Sequence, residues 1–158
     1  NLQSLSYTRK LINKEHLKMI KFSLGKTRSP NNNANNSNFW SLKSYFKINR
    51  GLYFDFEYTN NKTDFEFSSY SGYKFATYKK IEIQQMSVIP YLELEHRDYE
   101  GIFFSYGKKR SYQKTSVGLT FVLNQYNNLK FKLSSDIFKS NIPIFDNRIN
   151  IYSLEYLF

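Results

Sequence analysis

The sequence predicts an all-β protein, an antiparallel meander of about eight to nine strands that forms a transmembrane β-barrel or part of one. Its 158 residues include 15 Phe and 14 Tyr and are 41% hydrophobic, yet the mean hydropathy is −0.60. An aromatic chain that is polar on average suits a membrane barrel, because only alternate residues of each strand face lipid. No apolar run approaches the ~18 residues of a membrane-spanning helix.

Segments of alternating polarity recur along the chain at about the ~9–11 residues that a tilted membrane strand requires. The predicted strands cover residues 2–9, 16–26, 38–48, 52–60, 68–79, 87–97, 111–122, 129–139 and 148–158. The short connections are 11–15, 49–51, 80–86 and 123–128, and the mostly longer, polar ones are 27–37, 61–67, 98–110 and 140–147. This alternation predicts short periplasmic turns and longer extracellular loops. The residues expected in those loops include Lys108, Lys109, Arg110, Asn141, Pro143 and Asp146.

The hairpin at residues 49–51 gives the clearest register. A three-residue turn with Gly51 in its last, left-handed position pairs Ile48 with Leu52 and Phe46 with Phe54. The pairs on the opposite side are then Lys43 with Glu57, Tyr45 with Asp55 and Lys47 with Tyr53. A slip of one residue would place these charges in lipid, at ~2–4 kcal/mol for each cation near the midplane.

Later segments repeat the pattern and extend the expected lumen wall. In the segment 87–97, Val88, Leu92 and Leu94 point to one face of the strand, and Glu93 and Glu95 point to the other. The residues predicted to line the lumen, or translocation path, are Lys43, Lys47, Asp55, Glu57, Glu93, Glu95, Lys130, Lys132 and Asp136. Pro90 removes a ladder donor and is expected at a bulge or an edge.

The number of segments bears on domain organisation. Residues 1–158 are expected to form a single barrel domain without helical repeats. Nine segments are an odd number, whereas bacterial single-chain barrels have even counts and leave no edge open in lipid. Either the first segment is not a strand, or the chain is the C-terminal part of a larger barrel, which we favour.

Several functional classes fit the composition poorly. The net charge of +10 and the pI near 9.6 suggest nucleic acid, but the cations are scattered among apolar residues instead of forming a stripe. Two His and no Cys make a zinc site unconvincing. The motif His96-Arg97-Asp98 lacks every other kinase element, and Glu93 with Glu95 fits a solvated wall better than a catalytic pair. We expect no enzyme activity, no cofactor and no nucleic-acid partner.

The C-terminal segment alternates to its end, with Tyr152, Leu154, Tyr156 and Phe158 on one face. It resembles the C-terminal assembly signal of bacterial outer-membrane β-barrels, which the insertion machinery recognises. The resemblance implies a location in the outer membrane, with the C-terminus in the periplasm. The expected partners are the barrel-assembly machinery, membrane lipid and lipopolysaccharide.

From Glu95 onward, three motifs carry a second resemblance: Arg97-Asp98-Tyr99, the run from Lys108 to Tyr112, and the run from Ser140 to Arg148. The chain there resembles the C-terminal barrel of the surface lipoprotein assembly modifiers, the Slam proteins. That family combines a periplasmic tetratricopeptide domain with a barrel of more strands than this chain supplies. The resemblance implies type XI secretion, in which lipoproteins or soluble haem- and iron-binding proteins cross the outer membrane.

Alternative functions remain open. A porin or a small structural barrel would show the same alternation without protein cargo. A soluble β-sandwich also alternates, although its buried face seldom holds so many rings. A soluble basic β-domain that binds nucleic acid is the most distant alternative.

Overall fold

The computed structural model describes residues 2–11, 16–27, 36–49, 51–123 and 129–156. They form one antiparallel sheet of ten strands, which confirms the predicted all-β meander. The strands are β1 (Leu2–Lys10), β2 (Leu17–Thr27), β3 (Ser37–Asn49), β4 (Leu52–Thr63), β5 (Tyr70–Lys79), β6 (Ile81–Ile83), β7 (Met86–Phe103), β8 (Lys108–Leu123), β9 (Leu129–Ser140) and β10 (Asn147–Tyr156).

Nine of the strands follow each other in the order β1-β2-β3-β4-β5-β7-β8-β9-β10, and β6 pairs with β7 beside this path. The first and last strands are therefore the two edges of the sheet, and within the described residues they do not pair with each other. The helical segments described are three short 3₁₀ turns, at Glu66–Ser68, Phe104–Tyr106 and Pro143–Phe145. In the described part of the chain, no helix is long and apolar enough to cross a membrane.

The hairpin between β3 and β4 has the predicted register, apart from its last pair. Phe46 lies opposite Phe54, and the three predicted pairs on the other side, Lys43–Glu57, Tyr45–Asp55 and Lys47–Tyr53, are all present. The expected pair of Ile48 with Leu52 is wrong, because a bulge between Lys47 and Asn49 makes Asn49 the partner of Leu52. Gly51 has the expected positive φ, 82°, and a Cβ there would lie 2.6 Å from the Lys80 carbonyl oxygen.

The predicted loop 98–110 is wrong in its bounds. β7 continues to Phe103 and β8 begins at Lys108, so that Lys108, Lys109 and Arg110 are strand residues. The pairing of β7 with β8 contains a register shift between Asp98 and Ile102, and the two strands pair again beyond it. The hydrogen bonds between paired strands join backbone groups and do not depend on apolar side chains. The β7–β8 hairpin therefore continues through the polar residues at which the sequence predicted that the strands end. The same reason places residues 61–63, Ser140 and Asn147 in strands.

The predicted connection 80–86 contains a strand that the sequence did not indicate. β6 forms a tight hairpin with the start of β7, in which Ile83 pairs with Met86 and Gln84 has a positive φ of 48°. Pro90 lies between the last β5 pair, at Tyr91, and the first β6 pair, at Val88. On that side of β7 the ladder is interrupted at Pro90, whereas on the other side Pro90 lies opposite Leu119 of β8. The proline therefore lies at a gap between two partner strands and not at the expected bulge or edge.

The register divides the sheet into two faces, which we call the apolar face and the polar face. The apolar face carries Leu5, Tyr7, Phe22, Leu24, Trp40, Leu42, Phe46, Phe54, Phe56, Tyr58, Tyr73, Phe75, Leu92, Leu94, Val117, Leu119, Phe121, Phe131, Leu133, Tyr152 and Leu154. The polar face carries Ser23, Ser41, Lys43, Asp55, Glu57, Lys74, Glu93, Glu95, Arg97, Lys114, Ser116, Lys132, Ser134 and Asp136.

Burial is inverted relative to an ordinary soluble domain. Among the described residues, Ile142 is the one buried hydrophobic side chain, whereas Ser41, Ser87, Ser116, Ser134 and Asp136 are buried. Large side chains of the apolar face are exposed instead, with Leu5 at 69% and Tyr152 at 73%. Exposed apolar side chains grouped on one face mark a surface that contacts another apolar body, either a protein or a membrane.

Candidate functional site

A row of alternating charges crosses the middle of the polar face. In successive strands from β3 to β8, without β6, directly opposed positions hold Lys43, Glu57, Lys74, Glu95 and Lys114. Each of these side chains therefore has a neighbour of opposite sign on the next strand. We call these five residues the charge row.

The lysines of this row form ion pairs that run diagonally to acids two residues further along the neighbouring strands. Lys43 Nζ lies 2.9 Å from Asp55 Oδ2, and Lys74 Nζ lies 3.0 Å from Glu93 Oε2. Lys114 Nζ joins two acids, at 3.1 Å from Asp136 Oδ2 and 3.6 Å from Glu93 Oε1. Lys74, Glu93, Lys114 and Asp136 thus form one network across β5, β7, β8 and β9. This network links four strands and leaves both signs of charge on the polar face.

Arg97 organises one end of the polar face. It forms an ion pair with Glu95, and its guanidinium lies 4.7 Å from the ring centre of Tyr70 and 5.5 Å from that of Tyr112. Gly72, directly opposite Arg97 on β5, makes this packing possible, because a Cβ there would lie 3.0 Å from Arg97 Cγ. Cation–π contacts of this kind hold a charged group in place without neutralising it.

Tyrosine rings form the other end of the polar face. Tyr45 and Tyr53 stack at 5.7 Å between ring centres, and Tyr53 stacks on Tyr78 at 5.2 Å. Lys47 Nζ lies 5.8 Å from the Tyr53 ring, and Lys132 Nζ lies 5.1 Å from the ring of Tyr91. These two cations lie over aromatic faces and not in ion pairs with described residues.

Most of the predicted lumen residues meet in this arrangement. Lys43, Asp55, Glu93, Glu95 and Asp136 all make ion pairs on the polar face. Glu57 belongs to the charge row, but it makes no ion pair with another described residue. Lys130 is paired in register with Glu155, whose side chain lies outside the described part.

The sequence prediction did not include Lys74 and Lys114 among the lumen residues, although they are central to the network. Their strands were predicted, and both residues have the parity that faces the polar side. Assigning alternate residues of the predicted strands 68–79 and 111–122 to opposite faces would therefore have placed Lys74 and Lys114 on the lumen side. Arg97 was likewise not among the predicted lumen residues, although it lies on the polar face and contacts Glu95, Tyr70 and Tyr112.

The residues predicted in extracellular loops form a structured cap on the β8–β9 end. The Asn141 side chain accepts a hydrogen bond from the Ser111 N–H at 2.8 Å and donates one to the Lys109 carbonyl at 2.8 Å. Its amide therefore takes the place of a ladder peptide beside β8. Asp146 Oδ1 accepts the Ser140 N–H at 2.7 Å.

Arg110 and Phe145 join this cap to the β7–β8 hairpin. The Arg110 guanidinium lies 3.7 Å from the ring centre of Tyr99 and 4.4 Å from that of Phe145. Pro143 begins the 3₁₀ turn that carries Phe145. Lys108 and Lys109 are exposed on the adjoining strand. Whether this end is extracellular stays a prediction.

The predicted assembly signal is only partly described. Tyr152 and Leu154 lie on the apolar face and are largely exposed, at 73% and 70%. The backbone of Tyr156 pairs with Leu129, but its side chain and all of Phe158 lie outside the described residues. Recognition of these residues by an insertion machinery stays a prediction.

Within the described residues, no group of three or more His, Cys, Asp or Glu side chains could hold a metal ion. His96 Nε2 lies 3.0 Å from Asp98 Oδ2 at the margin of the apolar face. In the β6 hairpin, a hydrogen bond with Glu82 raises the pKa of Lys80, and the same bond lowers the pKa of Glu82.

Comparison with protein-family models, with curated proteins and with solved structures finds no match for this chain.

Proposed function

We propose that this sheet is a wall of an outer-membrane β-barrel, with the apolar face toward lipid and the polar face toward a hydrated lumen. The observation that carries the proposal is the inverted burial: serines and an aspartate are buried while Leu, Phe, Tyr and Trp side chains are exposed. A bilayer satisfies such a surface, because lipid covers the apolar side chains and the strands satisfy one another's backbone groups.

The dimensions of the strands support this proposal. The nine strands of the main path have nine to 18 residues, and ~9–11 tilted residues span a bilayer. The apolar face holds no charged residue between Ile20 and Leu24 on β2 or between Phe54 and Tyr58 on β4. On these two strands, charged groups enter the same face near the strand ends, as at Lys26 and Lys62. This is the distribution of an apolar band with polar margins.

We further propose that the barrel moves protein across the membrane, as its resemblance to Slam proteins implies. The cargo would be lipoproteins or soluble haem- and iron-binding proteins that reach the cell surface by type XI secretion. The mixed charges of the polar face support this function, since alternating signs hydrate a passing polypeptide without holding it. A selective ion pore would instead favour rings of one sign.

The membrane orientation is tested by single-cysteine labelling. The chain has no native cysteine, so each substitution provides a unique thiol. Leu92→Cys and Leu94→Cys place it on the apolar face, and Glu93→Cys and Glu95→Cys place it on the polar face. In proteoliposomes, a membrane-impermeant maleimide should label positions 93 and 95 much faster than 92 and 94. Equal labelling of all four would contradict the assignment of faces.

The transport function is tested in the complete protein by neutralising Glu93, Glu95, Lys130 and Lys132 to Gln. Surface labelling of a co-expressed lipoprotein should fall, while total cargo and the folded barrel, seen by heat-modifiable mobility, persist. The control is Lys80→Gln with Glu82→Gln, which removes an exposed ion pair in the β6 hairpin, outside the network of Lys74, Glu93, Lys114 and Asp136. Unchanged display together with altered channel conductance would contradict the translocon and favour a porin.

A further inference from the structure

The apolar face contains a groove with a cationic margin across β1 to β4. The groove has a volume of about 1000 Å³, at the upper end of the range for ligand pockets. Its apolar floor includes Leu5, Phe22, Leu24 and Trp40, and Lys26 and Lys62 line the same groove. A single groove therefore combines a long apolar surface with two cations.

The strand register explains how these groups are arranged. Gln3, Lys26, Asn38 and Lys62 are opposed in one row across the four strands. The next row on the same face holds Leu5, Leu24, Trp40 and Asn60. Because neighbouring strands lie about 4.8 Å apart, the backbones of Lys26 and Lys62 are about 10 Å apart. Two lysine side chains can close that gap around one phosphate group, with the Asn38 amide between them.

We propose that this groove binds a phosphorylated, acylated glycolipid of the lipid A type. The acyl chains lie along Leu5, Leu24, Trp40 and the rings beside them, and a phosphate lies at Lys26 and Lys62. The inference rests on the proposed membrane location of the apolar face. The complementary charge of phosphate and lysine selects an anionic headgroup. The amides of Gln3, Asn38 and Asn60 supply hydrogen-bonding groups for sugar hydroxyls, which ordinary phospholipids lack.

A carboxylate beside Lys62 should weaken phosphate binding in this groove. It forms an ion pair with Glu100 on β7, which a phosphate would have to share or displace. Lys26 makes no ion pair with any described residue. The carboxylate of Glu100 therefore competes with the ligand at one of the two cations, and its removal should strengthen binding.

The test uses the full chain, refolded in detergent and titrated with bis-phosphorylated lipid A. Trp40, the only tryptophan, lies in the groove and reports binding by its fluorescence. Lys26→Gln with Lys62→Gln should weaken binding about tenfold or more, through the loss of charge-assisted hydrogen bonds. Glu100→Gln should tighten binding a few-fold. Lys139→Gln, on the apolar face of β9 and outside the groove, is the matched control and should bind as the unsubstituted chain does.

Two comparison lipids decide the chemistry of the ligand. Lipid A without its phosphates should bind at least about tenfold more weakly, and phosphatidylglycerol should not compete at equal concentration. Equal binding of either lipid, or an unchanged affinity of the double Lys variant, would overturn the proposal. Heat-modifiable mobility is measured on the same samples, and the four single-cysteine variants are labelled in proteoliposomes in parallel. A chain that shows heat-modifiable folding and the expected labelling pattern but does not bind lipid A would reject the glycolipid site alone.

Discussion

Adjacent residues of β5 provide the sharpest test of the two faces. Phe75 lies on the apolar face, opposite Phe56 and Leu94, and its ring centre is 5.5 Å from that of Phe54. Ala76, the next residue, lies on the polar face between Asp55 and Glu93. We expect Phe75→Arg to destabilise the protein strongly and Ala76→Arg to be tolerated, although the same cation is introduced one residue apart.

The magnitude follows from the surroundings of each residue. Phe75 lies near the middle of its strand, where an arginine facing lipid costs ~2–4 kcal/mol. Loss of the aromatic contact adds ~0.5–1.5 kcal/mol, which Phe75→Ala measures separately. Ala76→Arg brings its cation to two carboxylates in a hydrated lumen, so its effect should stay within about 1 kcal/mol of zero.

The assay is urea unfolding in lipid vesicles, followed through the fluorescence of Trp40. If water instead of lipid covered the apolar face, Phe75→Arg would cost no more than Phe75→Ala, because exposed substitutions change stability by ~0.5 kcal/mol or less. Equal unfolding free energies for those two variants would refute the assignment of the face. A large loss from Ala76→Arg would refute the hydrated polar face.

Four further predictions concern other parts of the sheet. Lipids brominated in their acyl chains should quench Trp40, and quenching no stronger than in detergent would count against a lipid-facing β3. Lys114→Gln should cost ~1–3 kcal/mol in urea unfolding by leaving Asp136 without its ion-pair partner, and adding Asp136→Asn should restore part of it; additive losses would argue against the network. Gly118→Val should cost ~1–3 kcal/mol in the same assay, because a Cβ would lie 2.5 Å from the Leu133 carbonyl oxygen and 2.7 Å from the Tyr91 ring; a neutral effect would contradict this packing. Asn141→Ala should accelerate hydrogen exchange of its partner amide on β8, and unchanged protection there would show that the cap is not needed.

Alternation was sufficient to predict the nine strands of the main path, although not β6 or the full lengths of β7 and β8. Phe54 and Asp55 must lie on opposite sides of any extended strand, and Gly51 indicates the turn that sets the register of its hairpin. The pairing of Lys43 with Glu57 could therefore be predicted from the residues of that hairpin alone. Short connections carry this information because they allow few registers.

Contacts between sequence-distant groups depended on the tertiary structure. Lys114 reaches Asp136 only because β8 and β9 pair with a register that their connection does not reveal. Asn141 was predicted in a loop, yet its side chain continues the ladder of β8 from 30 residues away. The polarity of residues 98–110 suggested a loop, whereas backbone pairing extended β7 to Phe103 and began β8 at Lys108.

In the cationic groove, too, the sequence predicted the separate residues, and the tertiary structure brought them together. Lys26 was predicted at the end of one strand and Lys62 in a loop, and no sequence pattern connects them. The structure places both in one row because Asn38 on β3 lies opposite Lys26 of β2 on one side and opposite Lys62 of β4 on the other. Alternation is a local property, set by the geometry of an extended chain, so the sequence alone determined which face each side chain occupies. The register between two strands depends on the sum of the interactions of all their residue pairs. Only the tertiary structure therefore decided which charged side chains meet.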